Sequence, residues 1–307
     1  MRVYLFLLVV FFSHIINAQT LGGNAVFSFL KLSNSAQQSA LGGINISSFN
    51  KDVGNSWANP ALLNRHMHKQ LHTSYNSFFA GINQLGLLTA FGTKNEKLHV
   101  GTGLQYVGYG SILQTDAAGN TIGTFKASDY ALQIISAYDY NEYFRLGVAV
   151  KFVQSAYGQF RASGLGLDIG LLYRDTIKGL QASILVKNIG TQLTTYEING
   201  SKEEFPFDLQ AGISYLFNAV PLELSLTTHQ ISSQFILGAQ YKVGDYIELN
   251  AGYNFLRGRD LNITNTPNAF NGFSAGFGLL FKKFTTQYGT GFYQKNMFHH
   301  FSVNLVL

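Results

Sequence analysis

The stretch Tyr246-Ile247-Glu248-Leu249-Asn250-Ala251-Gly252-Tyr253-Asn254-Phe255-Leu256-Arg257 decides the fold. Ile247, Leu249, Ala251, Tyr253 and Phe255 fall on one side of an extended chain, and Glu248, Asn250, Gly252 and Asn254 fall on the other. A period of two marks a β-strand with two different faces. Gly164–Arg174 repeats the pattern, with Leu165, Leu167, Ile169, Leu171 and Tyr173 against Gly164, Gly166, Asp168 and Gly170. Phe207–Phe217 repeats it again, with Leu209, Ala211, Ile213 and Tyr215 against Asp208, Gln210, Gly212 and Ser214. Extended along the chain, the same texture predicts strands over 70–79, 82–91, 97–110, 126–139, 143–155, 161–174, 179–189, 206–217, 220–230, 233–242, 246–257, 272–282, 285–293 and 297–307. Each reaches the roughly 9–11 residues that a tilted membrane-spanning strand needs.

The connections test that count independently. Short turns at Thr93-Lys94-Asn95, Asn141-Glu142, Asp175-Thr176-Ile177, Asn218-Ala219, Gly244-Asp245 and Lys283-Phe284 all follow even-numbered strands. The three long connections, 111–125, 190–205 and 258–271, all follow odd-numbered strands. Transmembrane barrels have short periplasmic turns, longer extracellular loops and, in bacterial single-chain examples, an even strand number. The predicted fold is therefore an all-β, fourteen-stranded antiparallel transmembrane barrel spanning residues 67–307. A soluble sandwich also alternates, but at this size it would carry more surface charge. Only 12% of the residues are charged, against about 25% in soluble domains. The 26 Phe, 17 Tyr and 32 Gly suit a lipid-facing wall with aromatic girdles. In the last predicted strand Phe301, Val303, Leu305 and Leu307 alternate with Ser302, Asn304 and Val306. That pattern resembles the signal read by barrel-assembly machinery.

Upstream of the barrel the texture differs. Arg2 precedes the uncharged run Val3–Phe12, and Asn17-Ala18-Gln19 follows. This is the layout of an export signal, expected over residues 1–18 with cleavage after Ala18. The run is shorter than the roughly 20 residues of a spanning helix, and no Cys is present to carry a lipid. Residues 19–66 are rich in Gly, Ala, Ser and Asn and are expected to form a compact hatch inside or beneath the barrel. Ser33–Ala40 reads as a short helix with Ser33 or Asn34 as its cap and Gly42-Gly43 as its stop. At Asn59-Pro60-Ala61, Pro60 disfavours helix at Asn59 and can open a new helical turn at its own position.

Site chemistry is sparse. The sequence contains no nucleophile elbow, phosphate-binding loop or cysteine centre, so no enzyme, cofactor or metal is expected. The net charge of +5 is scattered rather than gathered into a stripe, which gives nucleic-acid binding no support. His66, His68 and His72 are the nearest approach to a metal cluster, but no carboxylate lies close in sequence, and they read as polar residues at the hatch–barrel junction. His299 and His300 point to opposite faces of a strand. Lys151, Asp168, Glu248 and Arg257 alternate with apolar neighbours and are expected to line the lumen.

Leu41-Gly42-Gly43, then Asn59-Pro60-Ala61-Leu62, then a fourteen-strand pattern resembles the FadL-like family of outer-membrane proteins, and the resemblance implies that Asn59, Pro60 and Ala61 are the structural motif of an N-terminal hatch. Within it, the series Gly22–Phe27, Ala40–Asn45, Asn59–Leu63, Ala80-Gly81-Ile82, Gly123–Leu132 and Val186–Leu193 is similar to the PorQ group of the type IX secretion system of Bacteroidetes. This resemblance implies an outer-membrane anchor, embedded in membrane lipid, for an attachment complex of PorU-like, PorV-like and PorZ-like partners that processes and attaches secreted cargo. The polar connection 190–205, with Thr191, Gln192, Lys202, Glu203 and Glu204, is then the expected partner contact. A FadL-like transporter of hydrophobic small molecules is the alternative. Fatty-acid transporters of that family carry long external loops, and the longest loop expected here is about sixteen residues. A lipid-modifying enzyme would need a Ser/His/acid set on the rim, and none is evident.

Overall fold

The computed structural model describes residues 25–198, 200–229, 235–255, 257, 270–293 and 296–307. The expected export signal, residues 1–18, and most of the connection 258–271 lie outside them. Fourteen strands form one closed antiparallel ring, β1 pairing with both β2 and β14. They are β1 (Gln70–Ser77), β2 (Asn83–Gly92), β3 (Leu98–Thr115), β4 (Thr121–Asp139), β5 (Phe144–Tyr157), β6 (Phe160–Asp175), β7 (Leu180–Thr194), β8 (Asp208–Leu216), β9 (Leu222–His229), β10 (Ile236–Val243), β11 (Ile247–Asn254), β12 (Phe273–Leu280), β13 (Phe284–Tyr293) and β14 (Asn296–Val306). Closure matters because an exposed strand edge in lipid would leave backbone polar groups without partners. The seam is continuous, from Gln70↔Val306 to Ser77↔His299.

The alternation of the sequence becomes an inside and an outside. On β11, Ile247 and Leu249 are 40% and 47% exposed, whereas Glu248 and Asn250 are 1% and 4% exposed. Phe91, Tyr140, Tyr143, Phe144, Tyr215, Phe217, Tyr246, Phe281 and Phe284 form an exposed aromatic ring at the short-turn end. Tyr75, Phe79, Tyr157, Phe160, Phe207, Phe235, Phe255 and Phe273 form another at the long-loop end. An apolar band between two aromatic girdles is the outer surface of an outer-membrane barrel. No described helix is long and apolar enough to cross a membrane, so the crossing belongs to the strands.

Two expected loops are shorter than the alternation suggested. Residues 111–125 form mostly a β3–β4 hairpin, whose turn Asp116–Asn120 is closed by Asp116 N–H donating to the Asn120 carbonyl at 2.9 Å. A register shift between Gly108 and Ser111 displaces the ladder there, with Gly110 at φ +70°. The strands therefore continue past the point where their faces stop contrasting. Likewise β7 runs to Thr194, beyond its last partner on β8, Lys187↔Asp208.

The lumen is filled by the chain from Ala25 to Met67. It contains one short helix, α1 (Ala36–Ala40), and 3-10 turns at Ser28–Lys31, Val53–Trp57, Pro60–Leu62 and Arg65–Met67. α1 starts later than the sequence suggested, with Ser35 at its N-cap. The proposed caps are used elsewhere: Asn34 Oδ1 accepts from Gln84 Nε2 at 2.6 Å, and the Ser33 hydroxyl accepts from the Ser35 N–H. The stop is as expected: Gly42 and Gly43 have φ of +95° and +101°, and Gly43 N–H donates to Gln38 O at 2.8 Å. One apolar cluster joins Val26, Phe27, Phe29 and Leu30 to Val107, Val153 and Phe205 near the long-loop end. A second joins Val53, Trp57, Leu63 and Met67 to Leu88 and Ile135 toward the short turns.

Candidate functional site: a hatch between two cavities

Asn59, Pro60 and Ala61 are placed where the hatch meets the wall. The Asn59 side chain accepts from Ala61 N–H at 2.9 Å and caps the Pro60–Leu62 turn. Its amide donates to the Ile46 carbonyl at 2.9 Å and to the Ser183 hydroxyl on β7 at 2.7 Å. One buried side chain therefore ties two hatch segments to one strand. Inward-facing glycines on β5 and β6 make the approach feasible. A Cβ on Gly147 would overlap the Pro60–Ala61 backbone, and one on Gly170 would overlap the Asn59 side chain. Gly252 and Gly289 admit the backbone of α1 and Leu41 in the same way. The small residues of the inner face thus mark the sites of backbone contact with the hatch.

Buried polar residues complete the seal. Gln37 Nε2 donates to Glu248 Oε1 at 2.7 Å, Gln240 Nε2 donates to Glu248 Oε2 at 2.8 Å, and the Ser47 and Ser214 hydroxyls lie 2.9 Å apart. Lys151 Nζ and Asp168 Oδ2 form a buried ion pair at 2.6 Å, and Asn188 bonds to both, accepting from Lys151 Nζ and donating its N–H to Asp168 Oδ1. Asn188 itself has φ +58°, beside the β6–β7 register shift. Lys151, Asp168, Glu248 and Arg257 are all buried inside the ring, as the alternation implied.

The histidines part company. His72 is fully buried, with Nδ1 3.3 Å from Asp52 Oδ1. The sequence showed no nearby carboxylate because Asp52 arrives through the fold of the hatch. His68 Nε2 meets His99 Nδ1 at 3.2 Å, and His99 Nε2 meets Asp139 Oδ2 at 2.8 Å. A carboxylate only accepts, so His99 carries a proton on Nε2, the nitrogen that faces Asp139. Burial, and then the charges of Lys51, Arg65, Arg174 and Arg145, hold the His66 imidazole below its ordinary range. His300 packs inward, 2.8 Å from the Ser39 hydroxyl, while His299 faces outward beside Tyr288. Among the described residues, no group of three metal-ligating side chains comes together.

The 191–204 residues divide as well. Thr191 and Gln192 lie on β7, where Gln192 is buried and accepts from Glu203 N–H at 2.9 Å. Lys202, Glu203 and Glu204 are exposed on the loop, and a parallel bridge joins Glu204 to Ala25. Phe205 turns inward and packs edge-on against Phe27, with ring centroids 5.3 Å apart.

Two cavities flank the hatch and share no lining residue. The one toward the long loops has a volume of about 260 Å³ and includes Lys31, Asn34, Lys187, Asp208, His229 and Arg257. The one at the short-turn mouth has a volume of about 810 Å³ and includes Lys51, His66, Arg145, Arg174 and Lys242. Sequence reading missed this basic mouth. Its cations are far apart in the chain, and three of them come from inward positions beside different short turns. That placement was the available signal.

The chain matches no protein-family model and no curated protein. Its fold does have solved counterparts. The CymD monoaromatic hydrocarbon channel superposes with a TM-score of 0.62 at 15% identity, covering 92% of this chain and 99% of that one. The Pseudomonas putida toluene transporter TodX gives 0.56 at 15% identity, with 89% and 96% covered. A Pseudomonas aeruginosa FadL homologue gives 0.55 at 12% identity, with 89% and 98% covered. At these identities the likeness establishes architecture: the chain has the fold of FadL-type outer-membrane barrels, over nearly its whole length.

Proposed function

We propose that the chain is a FadL-type channel in which the hatch gates passage of small hydrophobic molecules across the outer membrane. The observation that carries this reading is the hatch standing between two separate cavities, in a fold whose solved counterparts include a hydrocarbon channel and a toluene transporter. The upper cavity is lined by Lys187, Asn188, Asp208 and Gln210, so molecules carrying a polar group on an apolar body fit it better than pure hydrocarbons. The test is uptake of radiolabelled octanoate and toluene, at limiting concentration, by a Gram-negative host lacking its own FadL-type protein. Uptake several-fold above the empty vector is expected for at least one of the two. Uptake at the vector level for both contradicts the reading.

A second reading, the PorQ-like anchor for type IX secretion, draws on the sequence resemblance and on the exposed polar segment holding Lys202, Glu203 and Glu204. The Ala25–Glu204 bridge fastens that segment to the hatch, which would make it a stiff platform for PorZ-like, PorU-like or PorV-like partners. This reading expects loss of the gene to release cargo from the cell surface in soluble form. Normal cargo display in the deletion strain contradicts it.

A further inference from the structure

The cavity at the short-turn mouth combines three features that the hatch seal does not need. It is large, about 810 Å³, within the range of pockets that hold a small-molecule ligand. Its charge is one-sided: Lys51, Arg145, Arg174 and Lys242 line it, and Glu223 is its one lining carboxylate. Its lip is the turn from Leu216 to Pro221, and Phe217 on that lip belongs to the aromatic girdle. Girdle aromatics sit at the level of lipid headgroups.

The four cations come from the hatch and from three strands. Lys51 lies in the hatch, Arg145 opens β5, and Arg174 and Lys242 close β6 and β10. Among the described residues, only Arg145 of the four is within ion-pair distance of a carboxylate, Asp139, whose Oδ1 accepts from its Nε at 2.5 Å, while Lys242 acts on Glu223 and Glu248 from farther away. Mutual repulsion among like charges opposes such an arrangement unless an anion relieves it. Burial is the first cause that lowers the titration of His66, and the same convergence adds to it, since Lys51, Arg65, Arg174 and Arg145 all act on the ring. Two arginines are the side chains best shaped to grip a phosphate, and lysines complement them as point charges.

We propose that this cavity is a phosphate-binding site, taking the phosphate head of an anionic phospholipid from the periplasmic leaflet or a soluble phosphate ester. The site does not depend on the transport reading, because it requires nothing to cross the hatch.

Isothermal titration of the purified full-length protein in dodecyl maltoside, with dihexanoyl-phosphatidylglycerol and separately with glycerol 3-phosphate, tests the proposal. Saturable binding is expected. It should weaken about tenfold or more in Arg174→Gln/Lys242→Gln, where two charge-assisted contacts are lost. The variant Lys94→Gln/Lys97→Gln removes two charges from a neighbouring short turn outside the cavity and should bind like wild type. Heat-modifiable migration on gels verifies that each variant is a folded barrel. Much tighter binding of the lipid identifies the membrane as the source, and equal affinity for glycerol 3-phosphate identifies a soluble ester. No saturable binding of either compound, or equal weakening in both double variants, overturns the proposal.

Discussion

An alanine Cβ at Gly147 would collide with the backbone of Pro60 and Ala61, whereas at Gly278 its nearest neighbour would be Gln287 Cγ at 3.4 Å. Both glycines face the lumen, so alternation alone cannot tell them apart. Gly147→Ala should lose about 1–3 kcal/mol through overpacking, and Gly278→Ala should stay within about 0.5 kcal/mol of wild type. Urea unfolding followed by the fluorescence of Trp57, the only tryptophan, measures both, and equal losses would remove the hatch contact as the cause. The histidines at the junction predict a pH dependence. Burial is the first cause lowering both His66 and His68 below 6.5, followed for His66 by Lys51 and for His68 by His99. The unfolded chain therefore takes up these protons first as pH falls through 6.5. Stability contributed by their neutral state is present above that value and is lost below it. His66→Gln/His68→Gln should flatten the decline in unfolding midpoint between neutral and mildly acidic pH. An unchanged slope would assign the dependence to other groups. At this scale the sequence told inside from outside. It did not tell which inward residue meets which part of the hatch, because those partners lie far away in the chain.

Among elements, the strands were legible and the hatch was not. Leu165, Ile213 and Leu249 announce their strands because lipid on one side and a packed lumen on the other enforce strict alternation. Beyond Gly108 on β3 the hairpin stands past that contrast, and the alternation fades although the ladder continues. α1 is only five residues long. Too short to be stable alone, it is held by its docking against β12 and β13, which no local pattern encodes. Phe205 was placed in a polar loop, yet it fills the space beside Gly164 and Gly190. Phe205→Ala should therefore cost about 3–5 kcal/mol. Replacing residues 197–203 with a Gly/Ser linker should leave the unfolding midpoint nearly unchanged, because it keeps Tyr196, whose hydroxyl donates to Ser155, and the paired strands end at Thr194 and resume at Asp208. Equal losses from the two changes would show that the loop, rather than its buried anchor, holds this end together.

The molecule as a whole is a closed ring with an internal stopper, and its chemistry is that of closure. Its parity of short and long connections was readable from the sequence because it follows from membrane topology. The basic mouth was not, since it exists only once β5, β6 and β10 stand side by side. The proposed channel function requires that the hatch yield for anything to pass. Ser47 on the hatch and Ser214 on β8 bring their hydroxyls within 2.9 Å, and the chain has no cysteine of its own. A Ser47→Cys/Ser214→Cys pair can therefore form one defined cross-link between stopper and wall. Octanoate uptake by cells carrying this variant is the measurement. The account predicts uptake near the wild-type rate in reductant, uptake at the empty-vector rate once the cross-link is oxidised, and recovery on reduction. Undiminished uptake with the cross-link verified as formed would contradict it.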